Sequence, residues 1–444
     1  MAALALAVLG GGVAGVVGLQ DGQGAGSVLS APSPSPDPSR TPLLAVETGA
    51  GPVPSAPGLR RALASALRDR GLGRQLALSV VDATTGTPLL EVGAGRPVIP
   101  ASTAKIATAL ATLTVLPPDR RLTTRVLQGA PGDVVLVGAG DPTLAGRNAP
   151  SARFPQPGRL AALAAQLRGQ VVRRVLVDDS LFAGPRLGPA WKPGYVTHGD
   201  VAPVSALSVD AGRTSTTKNQ PRSQDPALEA GRQLAALLHV KVVVRGKAAA
   251  GAAELAHVTS PTVSELVEAM LTRSDNDLAE ALGRQVALAR GLPATFAGEV
   301  TATAAALGPL LAKAGLPRTA LGLRDASGLS PLDRLQPAAL TRLLALVGQD
   351  ERYAPVLSGL PVAGFDGTLA SRYRKGPAAA AAGEVRAKTG TLDGVSALAG
   401  LVRTRDGRLL AFDFTANGVS LTGTLDAEAA LDRLAAALAG CGCT

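Results

Sequence analysis

The stretch "PASTAKIATALATL", residues 100–113, carries a contradiction. From Ile106 onward it reads as a helix of small apolar residues that is buried in a core. Yet it opens on Ser102 and places Lys105 three residues later, and a cation on the inner side of an apolar helix is costly unless something pairs or uses it. One reading makes Ser102 an N-cap, entered through Pro100 and Ala101, with Lys105 reaching back to solvent from the first turn. Against it, a first-turn lysine meets the positive end of the helix dipole. The other reading uses the same geometry. Positions i and i+3 share a face, so a neutral amine at 105 can take the proton of the Ser102 hydroxyl and make a nucleophile. The pattern is short and recurs at Ser215-Thr216-Thr217-Lys218. That copy lies between Gly212 and Asn219-Gln220-Pro221 with no apolar helix after it, which predicts a surface loop.

The chain of 444 residues is long enough for two or three domains with full cores. Aromatic residues make up only 2%, so the core must be built from Ala, Leu and Val. Eight of the 44 basic residues are lysine, which gives the placement of each lysine weight. A net charge of +10 favours anionic surroundings such as cell-wall polymers or membranes. No basic run is interleaved with aromatics, so nucleic acid is not an expected partner. His198, His239 and His257 have no metal-ligand spacing, and no G-x-S-x-G elbow is present; a histidine-based serine hydrolase and a metal site are both disfavoured. Cys441 and Cys443 could hold a metal or close a small disulfide loop, but at the chain end they read as a frayed tail.

Residues 1–20 contain the apolar run "AALALAVLGGGVAGVVGL" and read as a signal or membrane-anchor segment, although its start lacks the usual Lys or Arg. Residues 21–57 are rich in Pro, Ser and Gly and read as a solvated linker. Together they predict export and an extracytoplasmic location in the cell envelope. A helix is expected at about 58–70, then two strands around Thr84-Thr85-Gly86, then the serine helix. Residues 121–259 alternate strands with helix-strand units and are read as an inserted α/β domain. From Val263 the pattern is helical. Strand patterns return near 385, with a hairpin turn at Asp406-Gly407, and a helix at about 425–438 closes the chain. Starting on a helix and hairpin and ending on a hairpin and helix suggests that 58–120 and 260–444 form one discontinuous domain whose ends share a sheet.

Two further motifs lie in that domain. Ser274-Asp275-Asn276 interrupts the helical region, in a chain with only four asparagines, and Lys388-Thr389-Gly390-Thr391 lies in the late strand region. Taken alone, the first suits a helix cap and the second a strand with a bulge glycine. In the order S-x-x-K, S-D-N, K-T-G, however, they resemble the active site of penicillin-binding proteins and serine β-lactamases. Ser102 and Ser274 lie 172 residues apart, and Ser274 and Lys388 lie 114 apart. Class A β-lactamases have their second motif much closer and carry an E-x-x-L-N loop, a string this chain lacks. The chain is similar instead to the D-alanyl-D-alanine carboxypeptidase/endopeptidase family, the DacB-like class C low-molecular-mass penicillin-binding proteins (peptidase family S13), which carry a large insertion between the first two motifs. "GAGDPTL", "VDDSLFAGP", "APVSALSVD", "DASGLS" and "LPVAGFDGTL" resemble segments of that family in the expected order, over about 59–438.

The resemblance implies an α/β fold of the penicillin-binding, serine β-lactamase-like type: a sheet and a helical cluster with the cleft between them. It implies that Ser102 forms an acyl-enzyme with the penultimate D-alanine of a peptidoglycan stem peptide. Lys105 would be the base, for which its pKa must fall through burial and the nearby Lys388. Ser274 would relay the proton to the leaving D-alanine, and Asn276 would hold the substrate amide. Lys388 and Thr389 would bind the terminal carboxylate, and Gly390 would leave room for the substrate backbone. The backbone N–H groups of Ser102 and Thr391 would form the oxyanion hole. Asp275 is read as structural, and Ser327 in "DASGLS" as a turn residue with no base assigned. No metal or organic cofactor is implied, and β-lactams are the expected covalent inhibitors. The alternatives are a catalytically weak wall-binding scaffold, which would most readily have lost Lys105 or Lys388, and a β-lactamase or esterase, which needs a deacylating residue not found here. Cleavage of cross-links as an endopeptidase is compatible with the same motifs.

Overall fold

The computed structural model describes residues 51–147, 154–217 and 220–442. The leader assigned to 1–20 and the linker from 21 to 50 lie outside the described residues. The folded chain begins earlier than the expected boundary at 57. Gly51 is buried, and a Cβ there would strike the backbone of Asp406 and Arg408. Helix α1 (Ala56–Leu63) is capped by the Ser55 hydroxyl, which accepts from Gly58 N at 3.1 Å. It stops well before residue 70. Two 3₁₀ turns follow, Ala66–Arg68 and Arg70–Leu72, and the second is set by Asp69, which accepts from Gly71 N and so offers the backbone a turn instead of a helix.

Strands β1 (Gln75–Asp82) and β2 (Pro88–Val92) form the expected hairpin, and α2 (Ala104–Val115) follows a 3₁₀ turn at Ala101–Thr103. Next come β3 (Arg121–Gln128), β4 (Asp133–Val137), α3 (Leu160–Gln166), β5 (Arg174–Asp178), the single turn α4 (Gly194–Thr197), α5 (Pro226–Leu237), β6 (Val242–Arg245) and β7 (Glu254–Thr262). The helical region holds α6 (Val263–Arg273), α7 (Asn276–Ala289), α8 (Phe296–Lys313), the short pair β8 (Leu321–Gly322) and β9 (Arg334–Leu335), α9 (Pro337–Ala345) and α10 (Ala354–Gly359). The chain ends in β10 (Val385–Leu392), β11 (Val395–Arg403), β12 (Leu409–Asn417) and α11 (Thr424–Ala439).

One five-stranded sheet has the order β10-β11-β12-β1-β2, antiparallel throughout. The first and last parts of the chain thus meet where β1 pairs with β12, and β10, with the K-T-G motif, is left on an edge. Both faces are covered. Leu59, Leu63, Leu431, Leu434 and Leu438 of α1 and α11 pack with Leu78, Phe412 and Phe414 on one side. On the other, Val81, Ala399 and Ala411 join the helical cluster of α2, α6, α7, α8 and α9. Ala, Leu and Val supply most of both cores, as the low aromatic content requires.

The second sheet, β6-β5-β4-β3-β7, is built by the inserted segment. Its β4-β5 and β5-β6 pairs are parallel, which requires the crossovers that α3 and α5 provide. Thr262 pairs with Arg121, so the sheet runs slightly past the expected limit at 259. The tail reading is corrected at Cys441: it is buried in the α1–α11 core and disulfide-bonded, while Cys443 lies outside the described residues.

Candidate active site

Ser102 is not a helix cap. It sits in the 3₁₀ turn ahead of α2, and no side chain caps that helix. The turn is entered through Ala101 at φ 48, a left-handed backbone that costs a residue with a Cβ about 1–2 kcal/mol. Gly328, itself at φ 79, packs on the Ala101 carbonyl so closely that a Cβ could not fit. The strained turn therefore persists because the "DASGLS" loop clamps it from above.

Residues 104–113 of α2 are all buried, and the Lys105 side chain with them. Its Nζ lies 2.9 Å from Ser102 Oγ, 2.6 Å from Asn276 Oδ1 and 2.6 Å from the Ser327 carbonyl. The Asn276 amide is oriented by its Nδ2, which donates to the Asp200 carbonyl at 2.9 Å, so Oδ1 faces the lysine. Burial pulls the Lys105 amine down to about 8, while the carboxyls of Asp325, Glu280, Asp275 and Asp333 hold it from falling further. A neutral amine has two N–H groups and one electron pair. Two of its neighbours, Asn276 Oδ1 and the Ser327 carbonyl, can only accept, so the electron pair is left facing the Ser102 hydroxyl.

The S-D-N motif bridges two helices. Ser274 ends α6 in a left-handed conformation (φ 56), and Asp275 caps α7 by accepting from Leu278 N at 3.1 Å. Within one motif Asp275 is thus the helix cap, while Asn276 and Ser274 meet the amines of Lys105 and Lys388. Lys388 reaches under this junction from β10, with Nζ 2.8 Å from Ser274 Oγ and 2.7 Å from the Thr389 carbonyl. It is fully buried, and burial together with the Lys105 cation holds it well below an ordinary lysine. For both lysines burial is the leading cause of the downward shift. Lys388 itself has no exposed surface. Within the K-T-G-T motif, Thr389, half-buried, and Thr391, exposed, are the open positions. Thr389 Oγ1 meets Thr368 Oγ1 at 2.8 Å, and Thr391 Oγ1 donates to Glu428 of α11 at 2.9 Å.

Gly390 permits a close backbone approach within the protein itself. A Cβ there would lie 2.8 Å from the Pro100 carbonyl oxygen and 3.2 Å from Ser102 N. The missing side chain therefore makes room for the Pro100–Ser102 turn, bringing Gly390-Thr391 beside the Ser102 backbone. The second S-x-x-K match is not part of the site. Ser215 Oγ accepts from Thr217 N in an exposed turn, and Lys218 lies outside the described residues.

Sequence reasoning missed what "DASGLS" contributes. Ser327 acts through its backbone carbonyl, and Asp325 holds the loop by accepting from Gly328 N, Ser330 N and Trp191 Nε1. The only signals were the family-like hexapeptide and an acidic residue, Glu280, one turn beyond Asn276.

The sequence pattern of the D-Ala-D-Ala carboxypeptidase 3 (S13) family matches residues 59–228 and 215–438. Carboxypeptidase DacB of Mycolicibacterium smegmatis is 39% identical over 424 residues, spanning 93% of this chain and 90% of its own length. D-alanyl-D-alanine carboxypeptidase of an Actinomadura species is 29% identical over 456 residues, 82% of this chain and 81% of its own. Among solved structures, penicillin binding protein 4 (dacB) from Haemophilus influenzae superposes with a TM-score of 0.67 at 22% identity, covering 85% of this chain and 97% of that one. That last likeness is one of fold.

Proposed function

The chain belongs to the D-Ala-D-Ala carboxypeptidase 3 (S13) family of serine peptidases, and from that membership we propose that Ser102 is the nucleophile through which it removes the terminal D-alanine of peptidoglycan stem peptides. The observation that carries this reading is the fully buried Lys105 amine, 2.9 Å from Ser102 Oγ and close enough to neutrality to act as a base.

The electron pair of Lys105 takes the hydroxyl proton as Ser102 Oγ attacks the carbonyl of the penultimate D-alanine. The oxyanion so formed lies where the N–H groups of Ser102 and Thr391 converge, and losing one such donor typically costs about 2.7–4 kcal/mol. The proton passes to the leaving amine through Ser274, whose hydroxyl Lys388 holds in place. Water then hydrolyses the ester by the same route reversed. Asn276 borders the bound amide while keeping Lys105 oriented. Thr389 and Thr391 face the substrate carboxylate, with Lys388 acting through Ser274. A β-lactam presents a similar amide and is expected to trap Ser102 as a stable ester.

Work on peptidoglycan means work outside the cytoplasmic membrane. Among the described residues no helix is long and apolar enough to cross a membrane; anchoring, if it occurs, falls to residues 1–20. Residues 121–259 form an accessory domain in this reading, tied to the site where the Asp200 carbonyl meets Asn276.

The test is to incubate the protein with a pentapeptide stem and with a cross-linked muropeptide and follow both by mass. Loss of one alanine from the stem is the expected product; cleavage of the dimer would add endopeptidase activity. Penicillin should label one peptide, the one containing Ser102. Ser102→Ala should remove the label and Ser215→Ala should keep it. A label on Ser215 or Ser327 would overturn the assignment.

A further inference from the structure

The mechanism above leaves unused a group of buried carboxyls behind the Ser102–Lys105 pair. Glu280 is one turn beyond Asn276 on α7, so both project from the same face of that helix. It is fully buried, and its Oε1 accepts from Ser327 N at 2.9 Å. Ser327 is the residue whose carbonyl takes an N–H of Lys105 at 2.6 Å. On the far side, Glu280 Oε2 and Glu299 Oε1 receive no N–H or hydroxyl donor, and the two carboxyls hydrogen-bond to each other through a shared proton. Glu299 also accepts from Arg284, whose guanidinium lies 4.1 Å over the Phe296 ring. Burial and the neighbouring Glu280 raise Glu299 well above the carboxylate range, while burial and Asp325 raise Glu280 to about 7, so above that pH Glu280 is the partner that ionises and Glu299 keeps the proton.

We propose that Glu280 is a positioning residue for the proton transfer: by gripping Ser327 from behind as a buried anion, it aims the electron pair of Lys105 at Ser102 and sets the pH at which that pair becomes available. The inference rests on Ser102 and Lys105 being the reacting pair. Its geometric basis is the count of acceptors. Both N–H groups of the neutral amine are taken only while the Ser327 carbonyl stays in place. If that carbonyl drifts, an N–H turns toward Ser102 and the electron pair points elsewhere. The charged groups acting on Lys105 come from every side: Asp275 at the α6–α7 junction, Glu280 on α7, Asp325 and Asp333 between β8 and β9, and Lys388 on β10. Asp275 caps α7 and lies 3.9 Å from Arg213, and Asp325 is tied by three donors. Asp333 accepts from Arg324 N and is itself held well above the carboxylate range beside Asp325. Glu280 is the one whose carboxylate holds the residue that Lys105 holds.

The experiment measures acylation of the full chain by a fluorescent penicillin from pH 6 to 10, with kcat and KM on a D-Ala-D-Ala peptide. In the parent protein the label must fall on Ser102; failure there sinks the proposed function and leaves Glu280 out of account. Glu280→Gln keeps an oxygen for Ser327 N and removes the anion. The acid limb of its profile should move down by about one pH unit, because nothing then favours the ammonium from that side. Glu280→Asp keeps the anion one methylene short of Ser327. Its kcat should fall about tenfold or more with KM unchanged, and its acid limb should stay. A folded Glu280→Gln with the parental limb, or a folded Glu280→Asp with the parental kcat, overturns the proposal. If one variant does not fold, the other decides. If neither folds, Glu280 is a packing residue and the proposal fails.

Discussion

A lysine amine with no exposed surface and three oxygen neighbours sits between two protonation states, and the proposed mechanism turns on that balance. Because Lys105 is held at about 8 and the proposed base works only when neutral, kcat/KM should climb from pH 6 to pH 9. A rate already flat at pH 6.5 would point to another base. Lys105→Arg keeps the charge but cannot deprotonate, so acylation should fall by roughly 10²–10⁴-fold. Activity within about tenfold of the parent, near 1.4 kcal/mol of barrier, would remove Lys105 from the role of base. Asp413 offers a stability test outside the site. It is fully buried on β12, hydrogen-bonded only through Oδ1 to Thr415, and burial lifts it to about 7. The folded state thus binds this proton more tightly than the unfolded chain does. Its contribution is present below about pH 4 and is lost as pH rises through 7. Asp413→Asn should therefore raise Tm relative to the parent at pH 8 and have little effect at pH 4, read by thermal melts at both.

At the scale of elements, the site is a junction of four: the strained turn before α2, the α6–α7 break, the β8–β9 loop and the edge strand β10. Their register depends on backbone contacts too close for side chains. Gly390→Ala would push β10 off the Pro100–Ser102 turn. Penicillin acylation should drop about tenfold or more while Tm changes little, since a shift near 1 Å at reacting atoms can cost 10²-fold. An unchanged rate would mean that the strand relaxes without moving Thr391.

Across the whole molecule, the sheet is closed by residues more than 300 positions apart, and α1 belongs to it. Removing residues 1–50 should leave Tm and activity as they are. Removing 1–57 also takes Gly51 from the Asp406–Arg408 turn and Ser55 from the start of α1. Loss of the cap alone costs about 1 kcal/mol, which for a chain of this size lowers Tm by about 2 °C. Equal melting of the two truncated chains would restore the boundary at 57.

Local chemistry is written along the chain, and so Ser102, Lys105, Ser274, Asn276 and Lys388 were legible as a set: each needs a particular residue type at a short, fixed spacing. The helix-strand units of 121–259 and the pairing of the two chain ends were legible for a similar reason, because periodicity and crossover rules act within or between neighbouring elements. What only the tertiary structure decided depends on groups with no sequence spacing between them. The Ser327 carbonyl is a backbone atom and leaves no trace in residue identity. The burial of Lys388 beneath Ser274 depends on where β10 meets the α6–α7 junction. The task of Gly390 depends on the turn that faces it, and an absent side chain does not say what fills its place. The ionisation of Lys105 depends on desolvation weighed against four carboxyls from three segments, a sum that exists only once those segments are folded together.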